Sequence, residues 1–163
     1  MKILTVDLER CVGCRNCEYA CSLVRTGDFK DDSSSIWVHV FPEGKWVGTF
    51  VCAQCETPVC LQVCPRSALR RDVQTNAVVV DEVRCMGCKM CLQVCPFGCI
   101  SFAPEKRAIR KCDLCKGDPN CVKFCMTHAL DFIEVNDLPK KKRMFVDHKL
   151  RIQRFALGER DDR

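Results

Sequence analysis

With 163 residues, 17 of them cysteine, and a formal net charge of +5, the chain has room for one ordinary domain but none for a large enzyme with a separate substrate domain. So many cysteines would suit a disulfide-rich secreted protein, but Met1 to Arg10 holds two acidic residues and no extended apolar core, so it does not read as a signal peptide. No twin-arginine export signal and no run near the ~18 apolar residues of a membrane span is present, so the expectation is a cytoplasmic protein, not inserted in a membrane, whose thiols bind metal.

Taken in chain order, the first element is the run Cys11, Cys14, Cys17 and Cys21, spaced C-x2-C-x2-C-x3-C. Asp28 to Ser35 is polar and reads as a surface loop. Ile36 to Phe41 and Trp46 to Val51 alternate as two strands joined through Pro42-Glu43-Gly44. A second group follows at Cys52, Cys55, Cys60 and Cys64, with Pro65 after it. Two short apolar segments around Gln74-Thr75-Asn76 then read as a hairpin, ending in Ala77-Val78-Val79-Val80.

The third group, Cys85, Cys88, Cys91 and Cys95, repeats the first spacing and is followed by Pro96. Cys99 is the one cysteine outside the groups and reads as a small buried apolar residue, with a spare ligand or redox thiol as the sharper alternative. Ile100 to Phe102 and Ala108 to Lys111 form another expected hairpin around Pro104-Glu105-Lys106. The fourth group is Cys112, Cys115, Cys121 and Cys125, and Leu130 to Val135 alternates as a strand. Helices should be short throughout. Residues 140 to 163 carry nine Lys/Arg against four Asp/Glu, while residues 1 to 139 balance at 17 against 17. The reading is therefore a neutral body, 1–139, and a basic tail, 140–163.

The spacing has a mechanical reason. A loop with a thiolate every third residue can wrap three corners of an iron–sulfur cubane, and the fourth cysteine, on the helix that follows, points away. Proline just after it ends that helix. Zinc also uses C-x2-C pairs, so no single pair excludes a structural zinc protein. It does not explain a three-cysteine loop with a fourth cysteine at x3, twice followed by proline. Disulfides need an oxidising compartment and do not favour C-x2-C. Sixteen grouped thiolates satisfy four [4Fe–4S] clusters, and with so small an apolar core the metal-free chain should be largely unfolded.

Val80-Asp81-Glu82-Val83-Arg84-Cys85 and the connection before it resemble the link between the halves of a bacterial two-cluster ferredoxin. The resemblance implies that groups two and three form one module, about 50–100, with groups one and four pairing around it (about 1–30 plus 101–139). The implied fold is α+β, one ferredoxin-like module inserted in the other. In two-cluster ferredoxins the fourth cysteine of each run ligates the other cluster. Carried over, this implies cluster 1 at Cys11, Cys14, Cys17 and Cys125, and cluster 2 at Cys21, Cys112, Cys115 and Cys121. It likewise implies cluster 3 at Cys52, Cys55, Cys60 and Cys95, and cluster 4 at Cys64, Cys85, Cys88 and Cys91. Pairing the groups in sequence, one with two and three with four, is the rival.

The chain as a whole resembles the four-cluster ferredoxin-like (polyferredoxin) subunits of redox complexes. The marks are Cys11-Val12-Gly13-Cys14 with Cys17-Glu18-Tyr19-Ala20-Cys21, Gln54-Cys55-Glu56 before Pro58, and Lys111-Cys112-Asp113-Leu114-Cys115. Gly117-Asp118-Pro119 with Cys121-Val122-Lys123-Phe124-Cys125 looks most like the iron–sulfur subunits of tungsten aldehyde oxidoreductases and benzoyl-CoA reductases. Subunits of carbon monoxide dehydrogenase, formate dehydrogenase and hydrogenase complexes are similar too. The chain departs from the pattern at Met126 and His128, where proline and glycine would be usual, which questions the local turn. Some relatives place tryptophan at a ligand position and hold [3Fe–4S]; Trp37 and Trp46 lie elsewhere.

The resemblance implies a non-catalytic subunit relaying single electrons, at low potential, between a catalytic redox subunit and a ferredoxin. The catalytic partner favoured is a tungsten or molybdenum pterin enzyme. A flavin/NAD subunit or further copies of the chain are the other expected partners. Autonomous catalysis would require a cluster with an open iron, and no set here lacks a cysteine; no phosphate loop appears either. Lys140-Lys141-Lys142-Arg143 reads as a solvated end or, with Met144-Phe145-Val146, Ile152, Phe155 and Leu157, as a docking arm. No stacking platform or recognition motif for nucleic acid accompanies it. None of His39, His128 and His148 is a convincing ligand.

Overall fold

The structure, a computed structural model, describes residues 1–30, 33–41 and 46–143. Pro42-Glu43-Gly44, the apolar anchors proposed for a docking arm, and His148 lie outside the described residues. Among the described residues the chain forms four two-stranded antiparallel ribbons and short helices, in the mixed α and β composition expected. In order these are β1 (Lys2–Val6), α1 (Asn16–Thr26), β2 (Ile36–Phe41), β3 (Trp46–Val51), α2 (Val59–Gln62), β4 (Leu69–Arg71) and β5 (Val78–Val80). They are followed by α3 (Met90–Val94), β6 (Ile100–Ala103), β7 (Ala108–Lys111), α4 (Asn120–Lys123) and β8 (Leu130–Glu134).

Three ribbons are local hairpins. β2 pairs with β3, from Ile36 opposite Val51 to Phe41 opposite Trp46. β4 pairs with β5, and β6 with β7. The fourth ribbon joins the two ends of the described chain, with Lys2 opposite Glu134 and Val6 opposite Leu130. β1 is an element that sequence reading did not find. Its five residues offer little periodicity alone, and their partner lies more than a hundred residues away.

The interior comes in two parts. Leu69, Val78, Cys91, Ile100 and Ile109 pack together around the β4–β5 and β6–β7 ribbons. Leu4, Cys17, Ile36, Val38, Leu114, Cys121 and Leu130 form a second core, with Ala77 reaching into it from the first region. The cysteines supply part of each core's bulk, as expected for a chain poor in large apolar residues.

One expectation needs correction. Asp28 to Ser35 is not a surface loop throughout, because Ser33, Ser34 and Ser35 are buried. A serine can stand in for a backbone turn partner, and Ser34 does so: its Oγ donates to Ile36 O at 2.7 Å and accepts from Ile36 N–H at 3.1 Å. The Ser34 side chain is thus satisfied locally, at the start of β2. Leu130 to Val135 also ends one residue earlier than expected, since Val135 opens a short 3₁₀ turn. Residues 138–143 are helical, and Lys141 donates to Thr5 Oγ1 at 3.1 Å and pairs with Asp131. Lys141 of the basic run is therefore fastened to the β1–β8 ribbon.

Candidate iron–sulfur centres

Each cysteine group begins with a loop bent by residues at positive φ, the conformation that turns a chain tightly around a centre. The bend falls just before the second cysteine in all four, at Gly13 (72°), Gln54 (49°), Gly87 (69°) and Leu114 (58°). Gly87 admits nothing larger, since a Cβ there would lie 2.6 Å from Arg107 O. A second left-handed residue follows the second cysteine in groups one, three and four: Arg15, Lys89 and Lys116. Each loop then enters a helix that carries the third cysteine, in α1, α2, α3 or α4.

After the fourth cysteine three groups share one turn. Ser67 N–H donates to Cys64 O at 3.2 Å, Gly98 N–H to Cys95 O at 3.3 Å and His128 N–H to Cys125 O at 3.1 Å. All three donors are left-handed, at 47°, 61° and 51°. The departure at Met126 and His128 therefore leaves the turn intact, because histidine is among the side chains that tolerate this region. The next residues, Ala68, Cys99 and Ala129, are all buried. Cys99 thus stands where the other two turns place alanine, which supports its reading as a small buried residue. The repeat Cys-x3-Ala/Cys followed by Leu or Ile was visible in the sequence. Group one differs: α1 runs on past Cys21 to Thr26 and closes at Gly27, whose N–H donates to Leu23 O at 2.8 Å.

The packing brings cysteines of different groups together. One cavity is lined by Cys52, Cys55 and Cys60 together with Cys95, and by Cys99, Gln54 and Lys111. A second is lined by Cys85, Cys88 and Cys91 together with Cys64. In the other half, Cys17 is pushed up to about 12 by burial and by the charge of Glu18, with Cys11 and Cys125 contributing. Burial also raises Cys121, and Cys112, Cys21 and Cys115 add to it. Cys112 is pushed up to about 12, chiefly by burial, and feels both Cys52 and Cys21. Burial of this kind suits a neutral thiol, or a thiolate whose charge a bound metal would offset.

Backbone donors aim at the sulfurs. Ala68 N–H reaches Cys64 Sγ at 3.2 Å, Ala129 N–H reaches Cys125 Sγ at 3.2 Å and Ser35 N–H reaches Cys21 Sγ at 3.4 Å. The buried Ser35 and Ser101 hydroxyls have no hydrogen-bond partner among the described residues. The residues therefore fit sulfur-ligated iron clusters, and the clusters supply one-electron storage when bound.

Three polar side chains that sequence reading did not place hold these loops. Glu18, 1% exposed, accepts from Val38 N–H at 2.7 Å and pairs with Arg15, hooking the β2–β3 ribbon to α1. That ribbon lies over group one, where Thr49 Oγ1 meets Cys11 Sγ at 3.2 Å. Gln54 donates through Nε2 to Cys112 O at 2.9 Å and accepts from Val78 N–H at 2.9 Å, binding group two to group four. Arg71 donates to Cys55 O at 2.5 Å and Glu56 O at 2.6 Å.

Loops that wrap sulfur ligands, on short helices between two-stranded ribbons, define an iron–sulfur protein of ferredoxin type. Residues 47–135 match the 4Fe-4S dicluster domain, and the chain belongs to that family. It is 32% identical over 162 residues to the electron transport protein HydN of Escherichia coli (strain K12), covering 84% of this chain and 90% of that protein. It is 37% identical over 133 residues to the polyferredoxin-like subunit of aliphatic sulfonate oxidoreductase from Pyrococcus furiosus (81% of this chain, 76% of that one). A solved benzoyl-coenzyme A reductase active-site complex, BamBC with benzoyl-CoA, contains a chain 21% identical (95% of this chain, 91% of that one) at TM-score 0.49. The chain is an iron–sulfur electron-transfer subunit, not a catalytic one. Among the described residues no helix is long and apolar enough to cross a membrane.

Proposed function

We propose that the chain relays single electrons through four [4Fe–4S] clusters between a catalytic redox subunit and a ferredoxin or further redox subunit. The observation that carries this reading is the convergence of three cysteines from one group with the fourth of another. It is most direct in the cavity lined by Cys52, Cys55, Cys60 and Cys95, and in the one lined by Cys64, Cys85, Cys88 and Cys91. The mutual influence of Cys17, Cys11 and Cys125, and of Cys121, Cys112, Cys115 and Cys21, supports the same crossed pattern in the other half. The β1–β8 ribbon supports one module closing around another, since it brings the chain after group four back beside the chain before group one.

On this assignment Cys14 and Cys88, the exposed cysteines among the described residues, belong to clusters 1 and 4, where electrons would enter and leave. The cysteines assigned to clusters 2 and 3 are half-buried, and Cys121 is buried. The favoured partner is a tungsten or molybdenum pterin enzyme in the cytoplasm, on the resemblance of Gly117-Asp118-Pro119 and the cysteines that follow it. The relative from Pyrococcus furiosus, itself a subunit of an oxidoreductase, supports assembly with a catalytic subunit.

The test is anaerobic metal analysis and co-purification from native cells. About sixteen irons per chain, brown colour that bleaches with dithionite, and a pterin-containing companion subunit are expected. Zinc in place of iron, or far fewer irons, would refute four clusters; a companion without pterin would refute the partner.

A further inference from the structure

Lys111, the last residue of β7, is 3% exposed. Its ammonium donates to Val78 O at 2.8 Å, to Cys112 O at 3.1 Å and to Gln54 Oε1 at 3.4 Å. Three acceptors match the three donors of an ammonium and leave it nothing to accept, so the site is built for the charged form. None of the three acceptors is charged, and among the described residues no carboxylate pairs with it. Three other partly buried cations do have one, Asp113 for Arg25 at 3.0 Å, Glu105 for Arg110 at 2.8 Å and Asp131 for Lys141, while the half-buried Arg71 meets backbone carbonyls. A buried charge without a counter-charge is expensive enough that its partner must be sought.

The surroundings supply one. Lys111 lines the cavity of Cys52, Cys55, Cys60 and Cys95 and precedes Cys112 in the chain. Burial raises the thiols of Cys60, Cys99 and Cys112, and the charge of Lys111 acts against it at all three. Gln54, 2% exposed and lying between Cys52 and Cys55, accepts from the ammonium with one end of its amide and grips Cys112 O with the other. One buried cation is thus fixed where the inner half of the molecule meets the outer.

We propose that Lys111 is a positioning residue for electron transfer. Its charge is the counter-ion of the two clusters at the junction, clusters 2 and 3, and it holds their potentials above those of clusters 1 and 4. The inference rests on the ligand assignment proposed above. A cluster held by four thiolates is an anion and becomes more negative by one charge on reduction, so a nearby buried cation favours the reduced form. In a medium less polar than water the interaction is strong and falls off with distance. Electrons arriving from either exposed end would then settle at the junction, so the relay can hold charge between turnovers of its partners.

The experiment is a redox titration of the iron-loaded chain, followed by electron paramagnetic resonance, for the parent, Lys111→Gln and Lys111→Arg. Lys106→Gln, which removes the same charge at the exposed Glu82 pair, is the control. In Lys111→Gln two of the four couples should become tenfold or more harder to reduce, about 59 mV for a one-electron couple. The other two should move far less, and Lys111→Arg and Lys106→Gln should titrate like the parent. A uniform shift of all four couples, no shift, or an equal shift in Lys106→Gln overturns the proposal. Should Lys111→Gln fail to hold iron, Gln54→Glu, which sets a carboxylate against the ammonium, is judged by the same two outcomes. Failure of the ligand assignment would instead show in Cys21→Ser, as retention of the cluster of Cys112, Cys115 and Cys121.

Discussion

On the assignment proposed above, the inner half of the molecule, groups two and three, is assembled from neighbours in sequence, while the outer half, groups one and four, depends on the two ends of the described chain meeting. The inner loops are backed by hairpins whose strands are a few residues apart in the chain. The outer loops are closed by β1 against β8 and roofed by β2–β3. Burial does not separate them: Cys17 and Cys121 are 8% and 7% exposed and Cys91 6%. Closing a longer loop costs more chain entropy, so the outer centres are the more dependent on distant contacts.

The strongest way to break this comparison is to open the terminal ribbon. Leu4 is 7% exposed and lies in the outer core opposite Phe132. Leu4→Asp places an unpaired carboxylate there, a change of the class that costs several kcal/mol. Iron content should fall to about half, with the two inner clusters retained. Equal loss from both halves would show that the modules do not fold separately. Next in size, Cys21→Ser should remove the cluster of Cys112, Cys115 and Cys121 and spare that of Cys11, Cys14 and Cys17, a loss of about four irons. Persistence of the first signal would favour sequential pairing of the groups.

A smaller effect is expected at the hook between the halves of the outer region. Glu18→Ala leaves Val38 N–H and Arg15 without their shared carboxylate, which should cost about 1–3 kcal/mol locally. Hydrogen exchange at Val38 should accelerate tenfold or more, while amides of β4–β7 keep their protection. Unchanged exchange would mean the ribbon is held over group one by packing alone.

The division between local and distant also decides what could be read beforehand. The four cysteine groups, the strands from Ile36 to Phe41 and Trp46 to Val51, and the Ile100–Lys111 hairpin were legible because spacing and alternation are local signals. β1 was not, because Lys2–Val6 becomes a strand through β8, and nothing in its own five residues announces that partner. Ser33–Ser35 were misread for the opposite reason. Three consecutive serines look like surface, but all three are buried, and the Ser34 hydroxyl bonds the adjacent backbone at Ile36. Glu18, Gln54 and Lys111 stood within recognisable motifs, yet their burial and partners follow from packing between halves, which spacing does not encode.

The finest test concerns the shared turn that both halves use after a fourth cysteine. Gly98 in the inner half and His128 in the outer half adopt the same left-handed backbone, at 61° and 51°. An added Cβ at Gly98 meets nothing within 4 Å, so Gly98→Ala should cost only the backbone penalty, about 1–2 kcal/mol. His128 already bears a share of that penalty, and His128→Gly relieves it while adding freedom to the unfolded chain. The two effects oppose each other, so the net gain should be under about 1 kcal/mol. Anaerobic bleaching rates on heating give the comparison: faster than the parent for Gly98→Ala, slightly slower for His128→Gly. If His128→Gly bleaches faster instead, the imidazole itself supports the Cys125 turn. The two turns would then share a backbone path without sharing what holds it.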